Sequence, residues 1–257
     1  MEKEGKYIYC IISTNQERNF GPIGIGGRGD EVSTIGYEDL SMIVSSHPMS
    51  RIHATSDNLL AHEKVIEEVM KEFDSVLPVR LGTIASSAEG IRNILDRRCQ
   101  EFKNALRDMD RKIELGVKGT WKNMAVIFKE ITAENKEIKE IKEKLQKEPG
   151  VKNISAKMKA GEMVFQALGK KKNEEAEKVL DVLRKIAVDH RLNKTFGGDE
   201  MFINAAFLVD KGREKEFDNI MNDLDKEYKD RIKFMYAGPL PVFNFVNIVI
   251  HQAEWEK

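Results

Sequence analysis

Cysteine is nearly absent: Cys10 and Cys99 are the only two in 257 residues, far apart in the chain. Two such thiols make no disulfide framework, and they read as reduced, buried side chains in a cytosolic protein. Aromatic residues are few, at 7%. No apolar run approaches the roughly 20 residues that a membrane-spanning helix needs. The start, Met1-Glu2-Lys3-Glu4-Gly5, lacks the apolar stretch of a secretory leader and runs into a short strand. Neither sign of charge dominates: 42 Lys and Arg stand against 43 Asp and Glu, for a net charge of −1. No overall field therefore draws the chain to nucleic acid or to an acidic membrane surface. A soluble, cytoplasmic protein with neither kind of partner is expected.

Charge of both signs is abundant. Charged residues make up 33% of the chain, above the roughly 25% usual in globular domains, so much of it must lie on solvated helix faces. The length allows one large domain or two small ones. The most informative stretch is Val76-Leu77-Pro78-Val79-Arg80-Leu81-Gly82-Thr83. A proline in a sheet belongs at an edge or a bulge, because it lacks a donor. An arginine among apolar residues needs a partner or an exit to water. A glycine there permits a backbone angle that other residues resist. These features mark a strand end with special geometry.

Periodicity divides the chain into two blocks. In the first, strands are expected at 6–12, 31–36 and 40–46, with a Gly-rich loop from Gly21-Pro22 to Asp30. Ser56 or Asp57 is placed to cap a helix with Leu59, Ile66, Met70 and Phe73 on one stripe. Ser86 and Glu89 form a capping box ahead of one helix carrying Ile91, Leu95, Phe102, Leu106 and Met109. The second block opens with a strand at 112–121. A helix from about 123 to 147 follows, with Met124, Ile131, Ile138 and Leu145 seven apart. Glu134 breaks that seam, and Pro149-Gly150 ends the helix. A second long helix is expected over 162–191, interrupted by Gly169 and Lys170-Lys171-Lys172. A strand at 192–197, a Gly197-Gly198 hairpin, a strand from Met201 to Val209, a helix with Phe217, Ile220, Leu224 and Tyr228, and a strand at 232–236 complete the block. That order fits a ferredoxin-like split βαβ unit whose first helix is expanded into a hairpin. The expected fold class is α+β, with domains at 1–110 and 111–257. The second holds the long helices of about 122–191 and an apolar tail, 239–257.

Gly24-Ile25-Gly26-Gly27-Arg28-Gly29 spells G-x-G-x-x-G. A dinucleotide site needs a helix directly after that motif, whereas Asp30 to Ile35 reads as a strand, so a plain loop is expected. The five histidines lack metal-ligand spacing, and His62 and Glu63 do not share a helix face. His62 is expected to fix its helix by hydrogen bonding. Arg80 is expected to form a buried ion pair with Glu63 or Glu67 or to clamp a carbonyl, or else to anchor a ligand. The lysines between Lys129 and Lys159 alternate with glutamates, which describes a solvated helix face. In the tail, Leu240 to Ile250 alternates with apolar residues on both faces, so it packs along its own domain or stays partly open to a hydrophobic client. Leu240, Val242, Phe243 and Phe245 are the candidate binding residues.

The segment from Leu77 to Thr83 resembles the LP-x-R-x-GT signature of the gas vesicle protein F/L family. Six further segments are similar to that family in the same order. They are Tyr7–Ile12 with Ser41–Ser45, His62-Glu63, Glu114–Lys118 with Trp121, Asn204–Val209, and Gly238-Pro239-Leu240-Pro241 through Phe245. Leu240, Val242 and Phe243 stand where the family has Trp, Pro and Tyr. The resemblance implies an α+β N-terminal domain and a modified ferredoxin-like C-terminal domain. It implies a non-enzymatic, cofactor-free accessory role in gas vesicles. The implied partners are the hydrophobic shell protein, gas vesicle protein A, and other accessory proteins of the vesicle. The competing reading is an enzyme or small-ligand regulator using Arg80, His62 and Glu63.

Overall fold

Every residue of Tyr7–Ile12 is apolar, a pattern that suits a strand buried on both faces. In the computed structural model, which describes residues 3–147, 154–251 and 254, this strand is β1 (Glu4–Ser13). It lies inside a six-stranded sheet with β2 (Asn19–Gly21), β3 (Val32–Tyr37), β4 (Leu40–Pro48), β5 (Val76–Pro78) and β6 (Ile84–Ala85). The order is β2-β3-β4-β1-β5, and β6 also pairs with β1. The β1/β4 register slips between Ile8 and Cys10. That bulge puts Tyr7, Tyr9, Cys10 and Ile12 on one face, against Val65, Ile66 and Val69 of α1 (Ser56–Met70). Ile8 and Ile11 face Ile91, Leu95, Phe102 and Leu106 of α2 (Ala88–Arg97) and α3 (Cys99–Asp108). The sheet is thus covered by helices on both faces.

Four local expectations differ from the structure. Thr55 caps α1, not Ser56 or Asp57, and its hydroxyl accepts from Asn58 N–H. The buried stripe of α1 is His62, Val65, Ile66 and Val69, while Leu59 stays exposed. Ser87, one residue beyond Ser86, caps α2 through Gly90 N–H. The helix expected to run on to Met109 stops at Arg98, which leaves the α-helical region (φ −105°, ψ 17°) and starts α3.

The second sheet is built from β7 (Lys112–Trp121), β8 (Asp189–Leu192), β9 (Met201–Asp210) and β10 (Ile232–Leu240), in the order β10-β7-β9-β8. This fourth-first-third-second order is that of a ferredoxin-like unit. Between β7 and β8 run α4 (Met124–Glu134), α5 (Lys136–Lys147) and α6 (Ile154–Leu183), and α7 (Glu214–Glu227) joins β9 to β10. The fold class is α+β. The helix expected over 123–147 breaks at Asn135, beside the seam-breaking Glu134, and the Asn135 side chain accepts from Ile138 N–H to start α5. The expected stop at Pro149-Gly150 lies outside the described residues. Helix α6 runs unbroken through Gly169 and Lys170–Lys172 and ends at Leu183, so β8 comes earlier than 192–197.

Lys171 explains why the lysine run does not break α6. It is buried, and its ammonium meets Glu130 at 2.9 Å and Glu134 at 2.8 Å. Arg231 grips Glu130 (2.7 Å) and the buried Glu175 (3.1 Å). Burial pulls the Lys171 ammonium down, but Glu134 and Glu130 outweigh it and hold its pKa above the usual value. Arg231, and then Lys171, keep the Glu130 carboxyl well below the ordinary carboxylate range.

The chain divides into two compact units. One comprises Met1–Leu115, Leu208–Gly212 and Gly238–Lys257; the other comprises Gly116–Phe207 and Arg213–Ala237. The tail, expected with the second domain, therefore clusters with the first unit. It is also not the alternating strand that its pattern suggested. Phe245 and Val246 both send their N–H to Val242 O, closing a tight turn, and among the described residues beyond Leu240 only Ile248 makes a strand-like bridge, with Val79.

Candidate functional site

In the first unit, β1 pairs with both β5 and β6, through Cys10↔Pro78 and Tyr7↔Ile84. The segment Val79–Thr83 must bulge between them. Pro78 ends an edge strand, where its missing donor costs no ladder bond. Gly82 takes φ +85°, which a side chain would resist. Thr83 closes the turn by donating its hydroxyl and its N–H to Arg80 O.

His62 pins this turn. It is buried, and its Nε2 lies 3.0 Å from Val79 O while its Nδ1 lies 2.7 Å from Tyr7 Oη. A carbonyl can only accept, so Nε2 carries the proton, and the Tyr7 hydroxyl donates to Nδ1. Gly82 N–H donates to the Tyr7 oxygen in turn. Burial pushes the His62 pKa down to about 4, against a small opposing pull from the Val79 carbonyl. Beside it, the Tyr9 and Ser45 hydroxyls share a 2.8 Å hydrogen bond, and the Tyr9 oxygen accepts from Ile25 N–H. Burial raises both tyrosine pKa values.

The tail lies on this unit. Glu114, itself buried, accepts the backbone N–H of Asn244 at 2.9 Å and its side-chain amide at 2.5 Å. Burial raises the Glu114 pKa, the Asn244 bonds lower it, and Glu63 adds to the rise. Arg80 is exposed and donates to Asn247 Oδ1 at 2.7 Å; neither Glu63 nor Glu67 is its partner. Arg98, at the α2/α3 break, donates to Val249 O. Val242 is only 3% exposed and Ile248 is buried. Between these anchors, Phe243 is 40% exposed with its ring 6.1 Å from the His62 ring, and Leu240 and Phe245 are half-buried. Of the four candidate binding residues, Val242 thus serves as an anchor inside the unit.

The residues of the competing reading are not assembled for chemistry. Both ring nitrogens of His62 are engaged, and Glu63 is half-buried with a pKa raised by burial and by Glu67. Arg80 lines an open cleft of about 490 Å³ with Arg51, Thr83 and Ile250, but neither His62 nor Glu63 lines that cleft. Among the described residues, only Glu38, Asp39 and Cys99 are grouped closely enough for a metal ion, and Asp39 is already bonded to Lys103 at 2.7 Å. The Gly24–Gly29 loop leads into β3, not into a helix, so it has no phosphate-binding geometry.

The model of the family described as Gas vesicle synthesis protein GvpL/GvpF matches residues 5–247. The chain belongs to this family. Gas vesicle protein F1 of Halobacterium salinarum is 26% identical over 249 residues, covering 96% of this chain and 95% of that one. Gas vesicle protein F of a Streptomyces species is 27% identical, covering 93% and 98%. Two solved structures share the fold. The gas vesicle protein GvpF from an Anabaena species aligns with a TM-score of 0.81 at 19% identity, covering 96% of this chain and all of that one. GvpF from Microcystis aeruginosa gives 0.76 at 21%, covering 95% and 99%. For this GvpL/GvpF chain, sequence reasoning missed Asn244, Asn247 and Arg98 as tail anchors and Glu114 as the buried acceptor for Asn244. The signal was present in Glu114, an acid inside the apolar strand Ile113–Val117, which needs donors.

Proposed function

We propose that this protein is a non-catalytic accessory factor in gas vesicle formation that binds the hydrophobic shell protein, gas vesicle protein A, and limits its aggregation before assembly. Family membership supports the gas vesicle role. The observation that carries the binding reading is the anchored turn at Phe243. Val242 is plugged into the unit on one side and Asn244 is clamped by Glu114 on the other, so a large aromatic ring is held partly in water. A preorganised apolar knob loses little entropy on binding. Leu240 and Phe245 widen the same patch. A shell subunit with exposed apolar surface would otherwise self-associate, and a covering partner needs no catalytic groups.

Phe243→Asp with Phe245→Asp, in a chain whose circular dichroism matches the parent, is expected to lose at least about tenfold in affinity for gas vesicle protein A, since two buried aromatic contacts are worth more than 1.4 kcal/mol. Unchanged capture in a pull-down would move the interface off the tail.

A further inference from the structure

We propose that β8 is a self-pairing edge that joins two copies of this chain, antiparallel, about a two-fold axis at His190. This site lies in the second unit and is independent of the shell-protein reading. Strand β8 has β9 on one side, and among the described residues no strand pairs with the other side. Asn193 sends its N–H to Asn204 O, so the odd residues face β9 while His190 and Leu192 turn their backbone groups to the open edge. Such an edge is usually blunted by proline, a bulge or a covering element. Here the side chains of Asp189 and Arg191 hold the His190 N–H (2.7 Å) and C=O (3.2 Å), and apolar side chains flank them: Val188, just before the strand, is 52% exposed and Leu192 is 60% exposed.

The sequence of the edge is complementary to itself in one register. Pairing His190 with His190 of the second copy sets Asp189 opposite Arg191 and Val188 opposite Leu192, each twice by symmetry. In the single copy, Asp189 binds Arg191 at 2.9 Å and accepts from His190 N–H, and Arg191 donates to His190 O at 3.2 Å, so pairing exchanges each of these bonds for its counterpart across the axis. Sliding the pairing by two residues sets Arg191 against Arg191 or Asp189 against Asp189, and like charges directly opposite are unfavourable. Sliding by one reverses the faces. Leu192, which this register sets opposite Val188 of the second copy, lines a cavity of about 270 Å³ with Leu180, Phe202 and Ile203. The partner that fits is therefore a second copy, since a strand of unrelated sequence would match neither the charges nor the apolar positions.

Sedimentation velocity on the full chain across a concentration series tests this. The parent is expected to pass from monomer to dimer, with a dissociation constant of about micromolar, as suits a short edge. Asp189→Lys alone and Arg191→Glu alone each create two like-charge contacts and are expected to weaken the dimer at least about tenfold. The double swap, Asp189→Lys with Arg191→Glu, is expected to restore it. Leu192→Asp, at an exposed position, should leave the fold intact and abolish association. A parent that stays monomeric throughout, a double swap no better than the single changes, or a dimer indifferent to Leu192→Asp would overturn the proposal.

Discussion

His62 holds three parts of the first unit together with two hydrogen bonds, and it does so as a neutral ring. Its pKa of about 4 lies below the usual histidine value, so between about pH 4 and pH 6.5 the unfolded chain binds more protons there than the folded one. Stability contributed at this site is complete above about pH 6.5 and falls as the pH drops toward 4. His62→Phe strands the Tyr7 hydroxyl and the Val79 carbonyl and is expected to cost about 2–4 kcal/mol at neutral pH. Urea denaturation of parent and variant between pH 4 and pH 7 should show this difference shrinking as the pH falls, by up to about 3 kcal/mol. A constant difference would mean that His62 is not held neutral. Residue types alone flagged both His62 and Arg80 as polar groups in need of partners. They did not give the partners, because the direction of Arg80 depends on a bulge created where β1 pairs with two strands at once. That turn sends the guanidinium outward to Asn247, 167 residues later in the chain.

Helices α4 and α6 meet the start of β10 through a charged cluster, not through apolar packing alone. Arg231 bridges Glu130 and Glu175, and Lys171 bridges Glu130 and Glu134. Removing one member of a partly buried set leaves the others uncompensated. Arg231→Met is expected to cost about 3 kcal/mol, because Glu175 is buried and loses its guanidinium partner. Lys171→Met is expected to cost about 1 kcal/mol, since Glu130 keeps Arg231 and Glu134 reaches solvent. Chemical denaturation that ranked the two the other way would contradict this geometry. The elements themselves were largely legible: hydrophobic spacing located the strands and helices, and their order pointed to the ferredoxin-like sheet. The break at Arg98 was not, because apolar spacing continues across it, while the break at Asn135 was marked only by Glu134 in the heptad seam. The lysine run in α6 looked like an interruption because its acids, Glu130 and Glu134, sit on another helix. The tail alternates like a strand, yet turns on itself at Val242, where anchoring by Glu114 replaces sheet pairing.

The family, the α+β class and the gas vesicle context stood in the sequence because they depend on motifs spread from Tyr7 to Phe245. The division of the chain was less visible. The tail follows the second sheet in sequence but makes its contacts with the first unit, and sequence order carries no record of that return. On the proposed function, this protein covers apolar surface, with Phe243 as a ring held out on a fixed turn. The most direct measurement is light scattering of purified gas vesicle protein A diluted out of denaturant, with and without an equimolar amount of this chain. The account predicts that scattering is suppressed by the parent and not by the Phe243→Asp, Phe245→Asp double variant. Equal scattering with the parent present and absent would contradict it.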